Sequence, residues 1–181
     1  RKSDVAKDLP PVHEVEVPVD LFPPEAELYR KLSASVRLAV EEAVARGEPP
    51  SVALTSVTRL RQAACDPVLL GIADTAGATS SKIATLASLL SSATDSGHRA
   101  LVFSSFRKLL DRAAVALDGL GIRHLRLDGD TPLRERERVA REMAAPEGAP
   151  VCLLTYGAGG VGLNLVGADH VISVSYTHLT L

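Results

Sequence analysis

The residues best suited to chemistry form a glycine-rich segment in the last third of the chain. Residues 153–165 read Leu-Leu-Thr-Tyr-Gly-Ala-Gly-Gly-Val-Gly-Leu-Asn-Leu, with four glycines in six positions directly after an apolar run. Glycines let a backbone approach a ligand closely, and successive amide groups can donate to phosphate oxygens. A tight strand-to-helix turn packed against a sheet explains the same spacing about equally well. Neither the Gly-Lys-Ser/Thr phosphate loop nor the dinucleotide Gly-x-Gly-x-x-Gly is present.

Two further segments place hydroxyl groups and glycine after short apolar runs. They are Ser104-Ser105 and Asp128-Gly129-Asp130-Thr131. Such side chains suit contacts to phosphates without base readout, although they do not distinguish nucleic acid from ATP. Asp128 is expected to brace its turn, because no histidine or second carboxylate is positioned with it to make a general base.

A run of arginines follows the second of these segments. Arg134, Arg138 and Arg141 recur at helical spacing on one face. A solvated face paired with neighbouring glutamates is the simpler explanation for this stripe. Arg134 lies nearest the turn and is the one expected to reach a phosphate.

The elements that position these segments are an alternation of strands and helices. The pattern predicts helices over residues 82–96, 108–120 and 132–143, and strands over 100–104, 124–127, 151–155 and 170–174. This alternation predicts an α/β fold with a parallel sheet that is covered by helices on both faces. Ligands of such sheets bind beyond the carboxyl ends of the strands, where the three segments lie.

The first 81 residues have a different pattern. Alternating apolar and polar residues from Glu14 to Leu21 predict a strand, which Pro18 would confine to a sheet edge. Helices are predicted from Glu25 to Arg46 and from Ser51 to Ala64, and the small, polar residues 71–81 predict a flexible connection.

Bulk composition excludes several classes of protein. The formal net charge is −2 and 46% of residues are apolar, without a run long enough to predict a membrane span. Cys65 and Cys152 lack metal-ligand spacing and are expected to be inert core thiols. The histidines are scattered and expected to be structural or solvated, so no metal site is predicted; they include His13, His98, His124 and His170.

The sequence resembles a known family most closely from residue 153 to 172. This stretch is similar to motif V of the Swi/Snf-type ATPases of helicase superfamily two, which reads Ala-Gly-Gly-x-Gly-Leu-Asn-Leu. Residues 98–106 resemble motif IV, residues 125–132 resemble the motif with an Asp-Gly-x-Thr turn, and residues 60–67 resemble a Leu-Arg-x-x-Cys-x-x-Pro element. Residues 1–11 are similar to the segment that joins the two motor lobes, so the resemblance covers residues 1–174.

The resemblance implies a RecA-like second motor lobe, of the P-loop NTPase type, with a helical extension before it. The implied divisions are an inter-lobe connector with an edge strand (1–24), a helical extension (25–70), a flexible connection (71–81), the lobe (82–174) and a non-native tail (175–181).

The activity implied is that of an ATP-dependent translocase on double-stranded DNA that displaces or remodels DNA-bound protein. Its partners would be double-stranded DNA, the first lobe and a DNA-bound protein, without a membrane. ATP and Mg²⁺ would be bound mainly by the first lobe. The resemblance assigns no catalytic residue here. The residues expected to face the DNA backbone are Ser104, Ser105, Gly129, Thr131, Arg134, Thr155, Ala158 and Gly159. Arg134 is included because of its position next to the turn, and the others are implied by the resemblance. Those expected to face the nucleotide cleft are Gly160, Gly162 and Asn164.

The chain departs from the family after Ile172. The family continues with an aspartate, a Trp-Trp-Asn-Pro element and a motif with catalytic arginines, whereas this chain has no Trp and ends in Ser-Tyr-Thr-His-Leu-Thr-Leu. That tail resembles a translated sequencing adapter. The expectation is a truncated lobe that does not hydrolyse ATP alone.

Two other functional classes remain open from the sequence. One is a lobe of a strand-separating DNA or RNA helicase, which the Gly-Leu-Asn-Leu sequence argues against, and the other is a non-enzymatic phosphate-binding module.

High Ala, Arg and Gly usage with few Lys suggests a bacterium whose genome is rich in guanine and cytosine, and hence a cytoplasmic, nucleoid-associated protein.

Overall fold

The computed structural model describes residues 12–48, 51–72, 79–159 and 165–174. The helices are α1 (Pro23–Ala45), α2 (Ser51–Cys65), α3 (Ser81–Asp95), α4 (Arg107–Gly119), α5 (Leu133–Ala144) and the single turn α6 (Tyr156–Gly159). The strands are β1 (Ala100–Ser104), β2 (His124–Leu127), β3 (Val151–Thr155) and β4 (His170–Ser173). A short 3-10 helix, Pro67–Leu70, follows α2. None of these helices combines the length and the apolar character that a membrane span needs.

The four strands form one parallel sheet in the order β2-β3-β1-β4. The predicted parallel sheet is therefore confirmed, and each strand lies within one residue of its predicted bounds. Four consecutive side chains of β3, from Val151 to Leu154, are buried. An uninterrupted apolar run is typical of a strand that is covered on both faces.

Side chains of β3 alternate between two hydrophobic clusters, one on each face of the sheet. Val151 and Leu153 join the cluster that includes residues of α3 and α4, such as Leu90 and Leu110. Cys152 and Leu154 belong to the cluster that includes Val139 and Met143 of α5. Two successive residues of a strand point to opposite faces, so one apolar run supplies both cores.

The helices before the lobe are joined to it by two buried carboxylates. Glu25, in the first turn of α1, accepts from the backbone N–H of Phe22 at 3.0 Å and from that of Ser81 at 3.1 Å. Asp66, just after α2, accepts from the Ser80 hydroxyl at 3.0 Å and from Arg112 Nε at 3.3 Å. Both acceptors therefore bind groups in or next to α3 and α4 of the lobe.

The end of α2 and the 3-10 helix after it also contribute to the hydrophobic core of the lobe. Cys65 and Leu69 are buried in the cluster on the α3 and α4 face. The predicted division near residue 71 therefore separates segments in sequence, but the two parts share one core.

The predicted edge strand over residues 14–21 does not form. Residues 12–22 are neither helix nor strand, and Val12 and Val15 are 93% and 78% exposed. A strand requires a hydrogen-bonded neighbour, and the alternating pattern carries no information about one. The predictions for residues 1–11, 73–78 and 175–181 lie outside the described residues.

Candidate nucleic-acid and nucleotide interface

Parallel register brings the three candidate segments to one edge of the sheet. Ser104, the last residue of β1, is level with Thr155, the last residue of β3. On the other side of β3, Leu127 is level with Leu154, so Asp128 continues β2 to the same height. The carboxyl ends of β1, β2 and β3 thus form the edge where ligands of open α/β sheets bind.

The turn after β2 is held by its own side chains. Thr131 Oγ1 accepts from the Asp128 backbone N–H at 2.9 Å, and the Thr131 N–H donates to the Asp128 carbonyl at 3.2 Å. Asp128 Oδ1 accepts from the Asp130 N–H at 3.2 Å. Asp128 therefore braces the turn, as the sequence predicts, and Gly129 is exposed at its tip.

Arg136 joins this turn to the start of the glycine-rich segment. The side chain is buried, with 9% of the residue exposed, and donates to four backbone carbonyls. Three belong to the turn: Thr131 at 2.8 Å, Asp128 at 3.0 Å and Gly129 at 3.2 Å. The fourth is the carbonyl of Ala158 in α6, at 3.3 Å. One guanidinium therefore fixes the relative position of two backbone segments that the sequence assigns to phosphate contacts.

The carboxylates of the turn are paired with arginines from neighbouring elements. Arg107, the first residue of α4, binds Asp128 and Asp130, and Arg126 of β2 lies 3.6 Å from Asp128. The hydrogen bond that Arg107 donates to Asp130, followed by the charge of Asp128, raises the pKa of the Arg107 guanidinium. These pairs neutralise the acidic side chains of the turn, so an anion does not meet an unpaired carboxylate there.

The residues predicted to face DNA divide into two groups. The Ser104 hydroxyl is buried and accepts from the Phe106 N–H at 3.0 Å, the Thr131 hydroxyl closes its turn, and the Ala158 side chain is fully buried. Side chains in this group stabilise the edge locally. The other group lies toward solvent or at the strand tips: Ser105, Gly129 and Arg134 are exposed, Thr155 is half-buried, and Gly159 ends α6.

The three residues predicted to face the nucleotide cleft, Gly160, Gly162 and Asn164, lie outside the described residues. The structure shows where their segment begins. Tyr156 and Gly157 are exposed at the tip of β3, whereas Ala158 packs beneath them in the core. The predicted glycine loop therefore opens with one helical turn that has an outer and an inner side.

Arg136 is a functional candidate that the sequence does not predict. The sequence predicts Arg134, Arg138 and Arg141 on one face of α5, and all three are exposed. The buried face of the same helix consists of Arg136, Val139 and Met143. Arg136, Val139 and Met143 follow one another at steps of three and four residues, and this helical spacing is the signal that could have placed Arg136 on the buried face.

The neighbouring arginines of α5 behave as a solvated face. Arg138 binds Glu135 at 2.6 Å and Glu142 at 3.0 Å, as the simpler explanation of the stripe predicts. Arg134 has no hydrogen bond or ion pair with any residue that the structure describes, and it lies one turn from the Asp-Gly-Asp-Thr segment. Arg141 is exposed as well and shows no pairing with a described residue, but it lies about two turns further along α5, so Arg134 is the exposed cation nearest the turn.

The two cysteines take no part in this edge. Both are buried and free. Burial raises the pKa of the Cys65 thiol, and it raises that of Cys152 to about 12. Thiols with such values are protonated at neutral pH, which agrees with the predicted inert core cysteines.

Comparison with known proteins identifies related sequences over most of the chain. The model of the helicase conserved C-terminal domain matches residues 81–179. Protein CHROMATIN REMODELING 19 of Arabidopsis thaliana is 41% identical over 109 residues, which are 56% of this chain and 14% of that protein. The human SWI/SNF-related matrix-associated actin-dependent regulator of chromatin subfamily A member 1 is 30% identical over 182 residues, 94% of this chain and 17% of that protein. The chain thus spans less than a fifth of either relative.

Solved structures with the same fold come from Sulfolobus solfataricus. The SWI2/SNF2 ATPase core domain superposes with a TM-score of 0.79 at 22% identity, over 95% of this chain and 36% of the other. The SWI2/SNF2 ATPase core in complex with dsDNA gives a TM-score of 0.72 at 20% identity, over 86% of this chain and 33% of the other. The predicted RecA-like architecture is confirmed by these likenesses.

The predicted localisation is wrong. Composition predicts a protein of a bacterial cytoplasm, associated with the nucleoid. Matching relatives are eukaryotic proteins named for chromatin, from Arabidopsis thaliana and Homo sapiens among others. Amino-acid usage reports the base composition of a genome and carries no signal for a cellular compartment.

Proposed function

Because the chain belongs to the helicase conserved C-terminal domain family and is a lobe of the Swi/Snf type, we propose that it forms the second lobe of a DNA-dependent ATPase. In this proposal the motor moves along double-stranded DNA and displaces or remodels bound protein. The carboxyl edge of the sheet binds the DNA backbone, and the glycine-rich segment turns toward ATP.

The main support for the proposal is the carboxyl edge of the sheet, where Arg136 holds two backbone segments together. Exposed Ser105, Gly129 and Arg134 and half-buried Thr155 lie along it, and two of its segments are fixed by one buried guanidinium. These short hydroxyl side chains, the glycine and the single arginine provide donors for phosphates, and the four residues include no Asn or Gln that could read an adenine edge. Such an edge suits a motor that must hold DNA of any sequence.

Both the dsDNA and the ATP parts of the proposal draw support from the structural neighbours. A solved core of this fold is described as an SWI2/SNF2 ATPase in complex with dsDNA. The chain's own contribution to ATP would be Gly160, Gly162 and Asn164. Mg²⁺ is assigned to the first lobe, since the carboxylates of the described edge, Asp128 and Asp130, are paired with Arg107. That the chain does not hydrolyse ATP by itself stays a prediction.

The test is a nuclear magnetic resonance titration of the isotope-labelled chain with a short duplex of arbitrary sequence at low salt. This measurement detects weak binding, so it suits a single lobe of a two-lobe motor. We expect amide shift changes that cluster at Ser105, residues 128–131 and residues 155–157, and that weaken as salt increases. Duplexes of different sequence should give similar affinities.

Arg134→Ala provides the specific variant and Arg138→Ala its matched control on the same helix. Removing one phosphate contact should weaken binding for all sequences and reduce the salt slope by about 1, whereas the control should bind like the wild type. Absence of shift changes at this edge would reject the DNA-binding proposal. A clear preference for single-stranded DNA or RNA would favour the strand-separating helicase, and saturation by inorganic phosphate alone would favour a small-ligand module.

A further inference from the structure

Two histidines and an aspartate meet at the edge of the sheet opposite the proposed DNA interface. His98 lies two residues before β1, and His170 is the first residue of β4. Because Ala100 of β1 is level with His170, the two imidazoles come together at the amino ends of neighbouring parallel strands. Their ring centroids are 4.6 Å apart.

The carboxylate of Asp169 lies between the two rings. Its Oδ2 is 2.6 Å from His98 Nδ1, and its Oδ1 is 2.9 Å from His170 Nδ1. The Arg99 backbone N–H also donates to Asp169 Oδ1 at 3.0 Å.

The backbone at this edge is held firmly by Arg99. Its carbonyl accepts from the N–H groups of Asp169 at 3.1 Å and His170 at 3.0 Å. Its guanidinium donates to the carbonyls of Ala145 at 2.9 Å and Ala149 at 3.0 Å, after the end of α5. The three side chains therefore project from anchored backbone rather than from a free loop.

The donor set matches that of a transition-metal site. One ligand atom from each of His98, Asp169 and His170 can be chosen so that all three lie within 4.8 Å of one another. Imidazole nitrogen is a ligand for Zn²⁺ and similar first-row ions, whereas Mg²⁺ and Ca²⁺ prefer oxygen. The side chains are 46%, 55% and 45% exposed, which leaves room for water to complete the coordination.

We propose that His98, Asp169 and His170 bind one first-row transition-metal dication of the Zn²⁺ class. Each histidine ligates through Nδ1, the ring nitrogen that faces the carboxylate, and carries its proton on Nε2, so that both imidazoles are neutral ligands. Bound there, it links the start of β4 to the segment before β1. The site does not depend on the proposed motor function, because it lies at the other edge of the sheet.

The test uses the whole chain and two probe ions. Co²⁺ is added while its visible d–d absorption is recorded, and Zn²⁺ binding is measured by calorimetry. We expect saturation at one ion per chain, displacement of Co²⁺ by Zn²⁺, and no displacement by excess Mg²⁺ or Ca²⁺. Zn²⁺ should also raise the thermal unfolding midpoint by mass action.

Variants of the two histidines distinguish specific metal binding at this site from nonspecific adsorption of the ion to the protein surface. His98→Ala and His170→Ala should each lower affinity at least about tenfold, since loss of even an outer-shell partner typically has that effect. His170→Gln provides a milder replacement, and circular dichroism of the metal-free variants checks their folding. His13→Ala, in the exposed segment before α1, is the matched control and should bind like the wild type. Binding that is absent, or equal in folded His170→Gln and wild type, would overturn the proposal.

Discussion

The guanidinium of Arg136 makes hydrogen bonds that no other arginine of α5 makes. It donates to carbonyls of Asp128, Gly129 and Thr131 and to that of Ala158 from a buried position. A charged donor with four acceptors is well compensated for the loss of water. Its residue type suggests phosphate binding, but its position makes it a support for the backbone that would bind phosphate.

Arg136→Ala should therefore destabilise the chain and disorganise the proposed interface. We expect the free energy of unfolding in urea to fall by about 2–4 kcal/mol, because one buried hydrogen bond and three partly buried ones to a charged donor are lost. In the DNA titration, the shift changes at residues 128–131 should shrink even though Arg136 does not face the ligand.

The control for this prediction is Arg138→Ala, two residues along the same helix. Arg138 is exposed and paired with Glu135 and Glu142, and exposed pairs contribute little to stability. Equal stability of the two variants would contradict the role given to Arg136.

Among the elements, the helical pair α1 and α2 is attached to the lobe by a few buried polar contacts in addition to the shared apolar core. Asp66 is 1% exposed and accepts from Val68 N, Ser80 Oγ and Arg112 Nε. Ser80 in turn caps α3 through the Ile83 N–H. The carboxylate thus connects the end of α2 with the first turn of α3 and the middle of α4.

Asp66→Ala should loosen this connection. Removing one partner of a buried ion pair typically costs about 3–5 kcal/mol, and because Arg112 is partly exposed we expect about 3 kcal/mol. Chemical denaturation measures the change. Asp95→Ala, at the exposed end of α3, should unfold like the wild type; if the two variants unfold alike, the Asp66 contacts do not hold the helices to the lobe.

Across the whole molecule, stability should be graded from the sheet outward. The central strands β1 and β3 are paired on both sides and lie between two apolar clusters. By contrast, α1 exposes Leu38 and Val44, at 61% and 72%, and residues 12–22 have neither helix nor strand structure. Regions with few buried apolar contacts open at a lower free energy than the core.

Native-state hydrogen exchange tests this gradient. Amides of β1 and β3 should exchange slowest, through global unfolding, those of α1 should exchange faster through partial opening, and residues 12–22 should exchange fastest. Zn²⁺ at the proposed site should slow exchange at the start of β4 most. Protection in α1 equal to that in β3 would show instead that the helical pair and the lobe unfold as one unit.

The sequence alone determined the order and type of most elements, the parallel sheet and the family, because apolar periodicity and sequence motifs are local properties of the chain. Helices and strands lie within about two residues of their predicted bounds, and the edge where the candidate segments meet follows from parallel topology. Local patterns also predicted that the two cysteines are inert and that Arg138 pairs with neighbouring glutamates.

Only the tertiary structure decided which distant groups meet. The strand order β2-β3-β1-β4, the carbonyls that Arg136 reaches and the meeting of His98 with Asp169, 71 residues apart, all depend on how the elements pack. The unformed strand at residues 14–21 has the same cause. Its alternation is a property of one segment, whereas a strand exists only where a second segment offers hydrogen bonds.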